Sequence, residues 1–194
     1  MKTVAALVLA ITLLTPGAAY AGAPTDTVKK HVDKFLEILQ DPTLSDNKEK
    51  QKEELWNVAL ELFDFTALSM RSVGTAWREM TNEQKKEFTD LFAKLLERTY
   101  MDKIREYNDE KVVYEDEVML SDSKAEVQSK IVTQSKEIPI LYRLYKTSGE
   151  WRVYDVLIEN VSMVKNYRTQ FRDYLSKNSI EDLLEHLRKK TANE

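Results

Sequence analysis

The sequence predicts an α+β fold in which a layer of helices packs on a twisted antiparallel sheet of four strands. Apolar residues recur every three or four positions up to residue 107, a spacing that is typical of amphipathic helices. From Lys111 to Ile158 they recur at every second position, which is typical of strands, and the helical spacing then returns. Helices, then a strand meander, then helices indicate one α+β unit rather than alternating βα units.

The first 21 residues have the pattern of a secretory signal peptide. Lys2 supplies a positive charge, residues 4–14 are apolar, and Ala19-Tyr20-Ala21 is a small-x-small cleavage site. The apolar run is shorter than the roughly 20 residues that span a bilayer, so we expect cleavage rather than anchoring. The mature domain is expected to be residues 22–194 and to lie beyond the inner membrane.

Composition narrows the classes of function. Without Lys2 the 29 basic residues become 28 against 33 acidic, a net charge of −5, which disfavours nucleic acid and anionic bilayers as partners. Cysteine is absent, so burial alone must stabilise the 173 mature residues (194 minus 21). No linker or repeat divides residues 25–190, so we expect one domain and a monomer.

Three helices are predicted before residue 75. The first runs from about residue 25 to the Asp41-Pro42 pair, and the second covers residues 45–62. A short third helix over residues 66–72 ends near Gly74, because glycine suits a helix C-cap. The apolar stripe of the first helix predicts that Phe35 is ordinary core.

A fourth and longest helix opens at Thr81 and Gln84, which form a capping box. Its apolar stripe is unusually broad and bulky, and it extends to Tyr107. After the sheet, helices are predicted over residues 163–176 and 179–190.

The four predicted strands are joined by short turns. Ser121-Asp122-Ser123 makes the first turn and Ser148-Gly149 the last hairpin. The strands cover residues 112–120, 125–134, 138–146 and 151–158.

The last hairpin is apolar on both faces. Strict alternation places Tyr154, Val156 and Ile158 on one face of the final strand and Trp151, Val153 and Leu157 on the other. Its partner strand alternates Ile140, Tyr142 and Leu144 with Leu141 and Tyr145. A helical layer packed on one face of a sheet would bury less apolar surface than these two faces present. The pattern fits a ligand cavity between sheet and helices, and it fits a merely large core equally well.

Asp155 interrupts this apolar strand, and a buried carboxylate needs a charged or hydrogen-bonding partner. Arg143, Arg152 and Arg168 are the candidate partners. The favoured interpretation is an ion pair that attaches the last hairpin to the following helix.

The residues offer no catalytic or metal-binding constellation, so we expect neither an enzyme nor a cofactor. Gly74 and Gly149 are isolated, which excludes a phosphate-cradling loop or a nucleophile elbow. His31 and His186 lie on different predicted helices, each on a face interpreted as solvated. The acidic run at residues 115–117 is interpreted as a solvated strand edge rather than a calcium site.

Three motifs carry a resemblance to a known family. Trp151–Val156 with Ile158, Val161 and Ser162 fits W-[KR]-[VI]-Y-D-V followed by I-x-G-[VI]-S, and residues 166–171 fit N-Y-R-x-Q-F. Upstream, Phe63-Asp64-Phe65, Val73-Gly74 and Trp77 fit F-D-F…L-G-x-x-W. In these positions the chain resembles the MlaC family, also called toluene-tolerance or periplasmic phospholipid-binding proteins. Asn160 replaces the usual glycine, and asparagine readily adopts the left-handed conformation that the turn requires.

The resemblance implies a periplasmic carrier that shuttles phospholipid and maintains outer-membrane lipid asymmetry. Its implied partners are an inner-membrane ABC transporter with its substrate-binding ring protein and an outer-membrane lipoprotein–porin complex. The lipid would be cargo rather than a cofactor. The alternative is a periplasmic adaptor that docks a protein partner without bound lipid. A lipid hydrolase is disfavoured because no nucleophile constellation exists.

For a carrier, we expect apolar and aromatic residues on the central helices and the last hairpin to contact lipid. Tyrosines suit a cavity mouth, because one end of the ring system is apolar and the other is polar; Tyr100, Tyr107, Tyr142 and Tyr154 are the candidates. The full predicted set is Phe65, Leu68, Val73, Trp77, Phe92, Leu96, Tyr100, Ile104, Tyr107, Tyr142, Tyr154, Val156 and Ile158.

Overall fold

A computed structural model describes residues 23–105 and 111–192. The predicted signal peptide and Tyr107 lie outside these ranges. In the described ranges the helices are α1 (Ala23–Gln40), α2 (Pro42–Ser45), α3 (Lys48–Leu62), α4 (Phe65–Val73), a 3₁₀ helix (Gly74–Arg78), α5 (Asn82–Arg105), α6 (Met163–Leu175) and α7 (Ile180–Ala192). The strands are β1 (Lys111–Ser121), β2 (Lys124–Val132), β3 (Glu137–Thr147), β4 (Glu150–Ile158) and β5 (Val161–Ser162).

The strands form one antiparallel meander in the order β1-β2-β3-β4-β5, with the helices packed around it, so the predicted α+β class is confirmed. The predicted count of four strands is wrong by one, because β5 pairs with β4 through two residues only. A two-residue strand is too short to show an alternating pattern in the sequence. No helix in the described part of the chain is long and apolar enough to cross a membrane.

Local sequence signals set most of the element boundaries. The Thr81 and Gln84 capping box is confirmed, since each backbone N–H donates to the other side chain, at 3.0 and 3.2 Å. The β3–β4 turn has positive φ at Ser148 and Gly149, as a tight hairpin requires. Asn160 has a φ of 65°, so it adopts the predicted left-handed conformation.

The predicted second helix begins too early. Pro42–Ser45 forms a separate turn, α2, which Asp41 caps by accepting from the Thr43 N–H at 2.8 Å. Helix α3 starts only at Lys48, because the Asn47 side chain accepts from the Lys50 N–H at 3.1 Å.

Strand β4 contains a β-bulge that changes which residues share a face. Arg143 pairs with Asp155, but the adjacent Leu144 pairs with Val153, so Tyr154 is an extra residue without a partner on β3. The predicted division of β4 is therefore wrong. Trp151 and Val153 share the inner, helix α1 face with Val156, whereas Tyr154 points to the opposite side.

Three apolar clusters make up the interior. The helical cluster lies between α4, α5, α6 and α7 and includes Phe92, Phe171 and Leu184. The sheet cluster lies between α1 and the inner face of the sheet, and the α1–α3 cluster holds Leu55, Val58 and Met101.

The outer face of the sheet is covered only in part. On this side the Arg71 guanidinium of α4 lies over the Tyr154 ring. The free edge of β4 is covered separately by a parallel bridge to Phe63, in which the Asp64 N–H donates to the Val153 carbonyl at 2.9 Å. The edge strand β1 leaves Val113, Val118 and Leu120 exposed.

Candidate functional site

The three clusters meet at an apolar cavity of about 240 Å³ between the inner face of the sheet and the helices. Its floor comes from the sheet, namely Val112, Ile131, Ile140, Tyr142, Val156 and Ile158. Its helical wall consists of Val32, Phe35, Leu36, Leu39, Trp56, Ala59, Leu62, Phe63, Phe65, Leu68, Leu96, Tyr100, Met101, Ile104 and Met163.

Only three of the described residues that line this cavity carry a polar side-chain group, namely the Tyr100 and Tyr142 hydroxyls and the Trp56 indole N–H. Burial raises the pKa of Tyr100 and raises that of Tyr142 to about 12, so both phenols are neutral at physiological pH. None of the lining residues in the described ranges is charged. Such a surface offers dispersion contacts and removal of hydrocarbon from water, and little recognition of charge.

Aromatic rings stiffen the helical side of the cavity. Trp56 on α3 and Phe65 on α4 have ring centroids 5.1 Å apart, and the Phe63 ring lies 6.1 Å from Phe65. The Asp64 side chain between these two phenylalanines accepts from the Ala67 N–H at 2.8 Å and so caps α4. This cap holds both rings against the cavity.

Eight of the residues predicted to contact lipid line the cavity. They come from two helices and two strands that are far apart in sequence, which the fold brings to one place. They are Phe65, Leu68, Leu96, Tyr100, Ile104, Tyr142, Val156 and Ile158.

Val73, Trp77 and Phe92 lie instead in or against the helical cluster. Phe92 is fully buried, with ring centroids 4.9 Å from Tyr167 and 5.4 Å from Phe171. The reason is the length of α5, whose 24 residues span about 36 Å. One continuous apolar stripe therefore packs on α6 and α7 at its start and faces the cavity only from Leu96 onward.

Tyr154 also lies outside the cavity wall, because the bulge in β4 turns it to the outer face. There the Arg71 guanidinium lies 4.2 Å from the centre of its ring, and the Tyr145 ring lies 5.9 Å away. Tyr107 falls outside the described residues, so its predicted position at the mouth stays a prediction.

Helices α1 and α3 supply wall residues that the prediction omitted. Phe35 was expected to be ordinary core; it packs against the α1–α3 cluster as expected, but it also lines the cavity. The apolar stripe on α1 was visible in the sequence. Such a stripe shows that a helix face is buried, but it does not show whether protein or a cavity lies against that face. Trp56 was missed for the same reason.

The ionisable residues near the cavity have structural partners. The buried Asp155 carboxylate lies 3.4 Å from Arg143 Nη1 and accepts from Ser162 Oγ at 2.7 Å and from the Val164 N–H at 3.0 Å. The predicted attachment of the hairpin to the following helix is present, but hydrogen bonds from Ser162 and Val164 make it rather than the ion pair, because Arg143 lies on β3 of the same hairpin.

Two polar side chains are more buried than predicted. His31 is 7% exposed rather than solvated, with Nδ1 2.8 Å from the Thr27 carbonyl. Glu115 and Asp116 are exposed on the edge strand β1 as predicted, whereas Glu117 is half-buried, because its carboxylate accepts from the Thr25 N–H at 2.9 Å and links the start of α1 to β1. No cluster of three or more potential metal ligands occurs within residues 23–105 and 111–192.

Comparison with known proteins identifies the family. A family model described as MlaC protein matches residues 29–189. The intermembrane phospholipid transport system binding protein MlaC of Haemophilus influenzae is 25% identical over 194 residues, which cover 94% of this chain and 88% of that protein. Toluene tolerance protein ttg2D of Pseudomonas putida is 28% identical over 102 residues, 52% of this chain and 47% of that protein.

A solved structure has the same fold. The phospholipid-binding protein from Ralstonia solanacearum, in complex with a phospholipid, matches with a TM-score of 0.81 at 27% identity. The match covers 89% of this chain and 98% of that one. Since the family model spans most of the sequence and the fold agrees over its length, the chain belongs to the MlaC protein family.

Proposed function

We propose that this protein is a periplasmic phospholipid carrier of an Mla-type transport system. The cavity between sheet and helices carries the proposal, because its lining is apolar and uncharged. The names of its relatives support the same cargo, since one is a phospholipid transport system binding protein and another was solved with a phospholipid.

The physical task of a carrier accounts for this lining. Burying one methylene group is worth about 0.8 kcal/mol, so two chains of roughly sixteen carbons represent on the order of 25 kcal/mol. A lipid cannot cross an aqueous compartment unless those chains are shielded. A carrier therefore needs a dry cavity for the chains, whereas the polar head group can remain in water.

The size of the cavity bears on how the lipid is held. At about 240 Å³ it is smaller than the roughly 300–1,000 Å³ of pockets that enclose drug-sized ligands. A diacyl phospholipid is larger than such ligands. We infer that the helical wall moves away from the sheet when both chains enter and that the head group stays outside.

The wider assignment follows from the family. We propose that the carrier exchanges lipid with an inner-membrane ABC transporter and its ring protein and with an outer-membrane lipoprotein–porin complex. We propose no catalytic role, so the cargo should be released with both of its acyl esters intact.

The test is to purify the protein from the periplasm without detergent and to measure the mass of the intact protein with any bound lipid by native mass spectrometry. The expected result is roughly one intact diacyl phospholipid per chain, with head groups that reflect the host membrane. Protein without stoichiometric lipid, before and after incubation with phospholipid vesicles, would favour the adaptor. Recovery of lysophospholipid and free fatty acid would point to a hydrolase.

A further inference from the structure

Three hydroxyl-bearing side chains lie side by side on the inner face of the sheet. Tyr114 on β1 pairs directly with Ser129 on β2, and Ser129 pairs with Ile140 on β3. Tyr142 is two residues beyond Ile140 and therefore on the same face. Tyr114, Ser129 and Tyr142 thus form a small polar patch, here called the hydroxyl patch, on an otherwise apolar surface.

Two members of the hydroxyl patch have no partner for their polar atoms. Ser129 Oγ and Tyr114 Oη are buried without a hydrogen bond to any described residue, and Ser129 is only 1% exposed. Burial raises the pKa of Tyr142, and the nearby Ser129 hydroxyl opposes part of this rise. The two hydroxyls are nevertheless not placed to form a hydrogen bond with each other. Buried hydroxyls in proteins are generally hydrogen-bonded, because leaving one unsatisfied costs about 1–3 kcal/mol.

The hydroxyl patch borders the cavity. Tyr142 and Ile140 line it, as does Ile131, which follows Ser129 by two residues on the same face. A ligand in the cavity that brings a hydrogen-bond acceptor to this side would satisfy hydroxyls that are otherwise unsatisfied.

The chemistry of the hydroxyl patch selects the acceptor. Acyl chains carry none, and a head-group phosphate would call for cations, of which the described cavity lining has none. The remaining acceptor in a glycerolipid is the ester carbonyl, which is neutral and attached directly to the chain. We propose that Tyr114, Ser129 and Tyr142 donate hydrogen bonds to the ester carbonyl oxygens of the cargo, an inference that rests on the proposed carrier function.

An ester-to-ether comparison tests this site. Delipidated protein is incubated with vesicles that hold equal amounts of a phosphatidylcholine with two hexadecanoyl esters and its dihexadecyl ether counterpart, which lacks both carbonyls. The bound ratio is read by mass spectrometry. One net hydrogen bond corresponds to roughly a three- to tenfold preference, so the wild-type protein should take up the ester lipid in that excess.

Single variants assign the preference to the hydroxyl patch. Ser129→Ala, Tyr114→Phe and Tyr142→Phe should each move the bound ratio toward one. Ser69→Ala is the matched control, since Ser69 Oγ is equally buried and unpartnered but lies on α4, outside the hydroxyl patch. This control should keep the wild-type ratio.

The outcomes separate this inference from the carrier function. Uptake of both lipids in a ratio of one by wild-type protein would overturn the ester site and leave the carrier intact. Uptake of neither lipid would overturn the carrier itself. As a second measurement, urea unfolding of lipid-free Ser129→Ala should show no loss of stability, because the variant removes an unpaired hydroxyl. A clear loss with an unchanged lipid ratio would assign Ser129 a structural role instead.

Discussion

At the scale of single residues, burial does not distinguish a cavity wall from a core. Leu96 and Leu184 are both buried members of the helical cluster, yet only Leu96 also lines the cavity. What differs is one side of the side chain, which faces the cavity in Leu96 and protein in Leu184.

The first prediction uses this difference. In lipid-free protein, Leu184→Ala should cost about 2–5 kcal/mol, and Leu96→Ala should cost less because its side chain already lacks partners on one side. Leu96→Ala should also reduce lipid occupancy, and it should lower the melting temperature more in loaded than in delipidated protein. Thermal unfolding of both forms, with extracted phosphate as the occupancy count, measures this.

Leu184→Ala serves as the control and should destabilise both forms about equally. Tyr100→Ala and Val156→Ala should behave like Leu96→Ala, and so should Phe35→Ala, because the ring lines the cavity. Equal destabilisation of both forms by all these variants, with unchanged lipid, would place the binding site elsewhere.

The second prediction concerns alkaline pH. Burial raises the pKa of Tyr142 from its ordinary value near 10 to about 12. Between these values the unfolded chain loses the proton and the folded chain keeps it, so the stability contributed by this group is complete below pH 10 and falls as pH rises toward 12. Tyr142→Phe should reduce the slope of unfolding free energy against pH by up to about 1.4 kcal/mol per pH unit.

Urea unfolding at intervals between pH 9 and 12 gives that slope. Tyr145, whose pKa is also raised to about 12, remains in the variant, so part of the slope should persist. An unchanged slope in Tyr142→Phe would mean that the phenol is not desolvated in solution.

At the scale of elements, Asp155 joins β4 to α6. The third prediction is that Asp155→Ala costs about 1–3 kcal/mol for each donor left unsatisfied, because Ser162 Oγ and the Val164 N–H lose their shared acceptor, whereas Arg143 keeps Glu126 as a partner. Asp155→Asn should cost less, since the amide oxygen can still accept. Chemical denaturation midpoints measure both.

Asp173 is the control for this pair of variants. Its carboxylate lies on the surface of α6 and pairs only with the neighbouring Arg172 among the described residues. Asp173→Ala should therefore change stability by less than about 1 kcal/mol. A comparable loss at Asp155 and Asp173 would contradict the structural role of the buried carboxylate.

Caps, turns and the β-bulge show how far the fold can be predicted from the sequence. Signals confined to a few neighbouring residues, such as the Thr81 capping box and the turn at Asn160, were predicted correctly, because their hydrogen bonds and backbone angles are local. The bulge at Tyr154 could not be predicted, since it is defined by the register between β3 and β4. One unpaired residue there reverses the face of every residue before it.

The site was predicted in part for a related reason. Phe88, Phe92, Leu96 and Tyr100 form one stripe with uniform spacing, and nothing in that spacing marks where the partner of α5 changes from α6 and α7 to a cavity. Helix α1 shows the converse. Its stripe was recognised, but a stripe that borders a cavity is identical in sequence to one that borders a core.

At the scale of the whole molecule, the helical cluster lies largely apart from the cavity. The fourth prediction is therefore that delipidated protein stays folded and unfolds cooperatively at a lower temperature. Lipid at about a hundredfold excess over its dissociation constant adds about 2.7 kcal/mol to the free energy of unfolding. For a chain of this size, each kcal/mol raises the melting temperature by roughly 2–4 °C. Calorimetry should show a difference of about 5–10 °C, and a delipidated form without a transition would contradict the prediction.

The fifth prediction concerns the mature chain. The Ala19-Tyr20-Ala21 site predicts that the periplasmic protein begins at Gly22 or within two residues of it. Intact mass spectrometry of periplasmic protein tests this. Recovery of the uncleaved chain from the inner membrane would contradict both cleavage and a freely diffusing carrier.

The cavity wall also has a consequence for the order of folding. Its residues run from Val32 on α1 to Met163 at the start of α6, so the side of α1 that lines the cavity stays uncovered until the last hairpin has formed, although α3 already packs against α1. A chain that emerges N-terminus first has that side uncovered, and such long-range closure is slow and prone to aggregation. A nascent chain halted before β4 should therefore depend on holding chaperones, and lipid uptake should be the final step of its maturation.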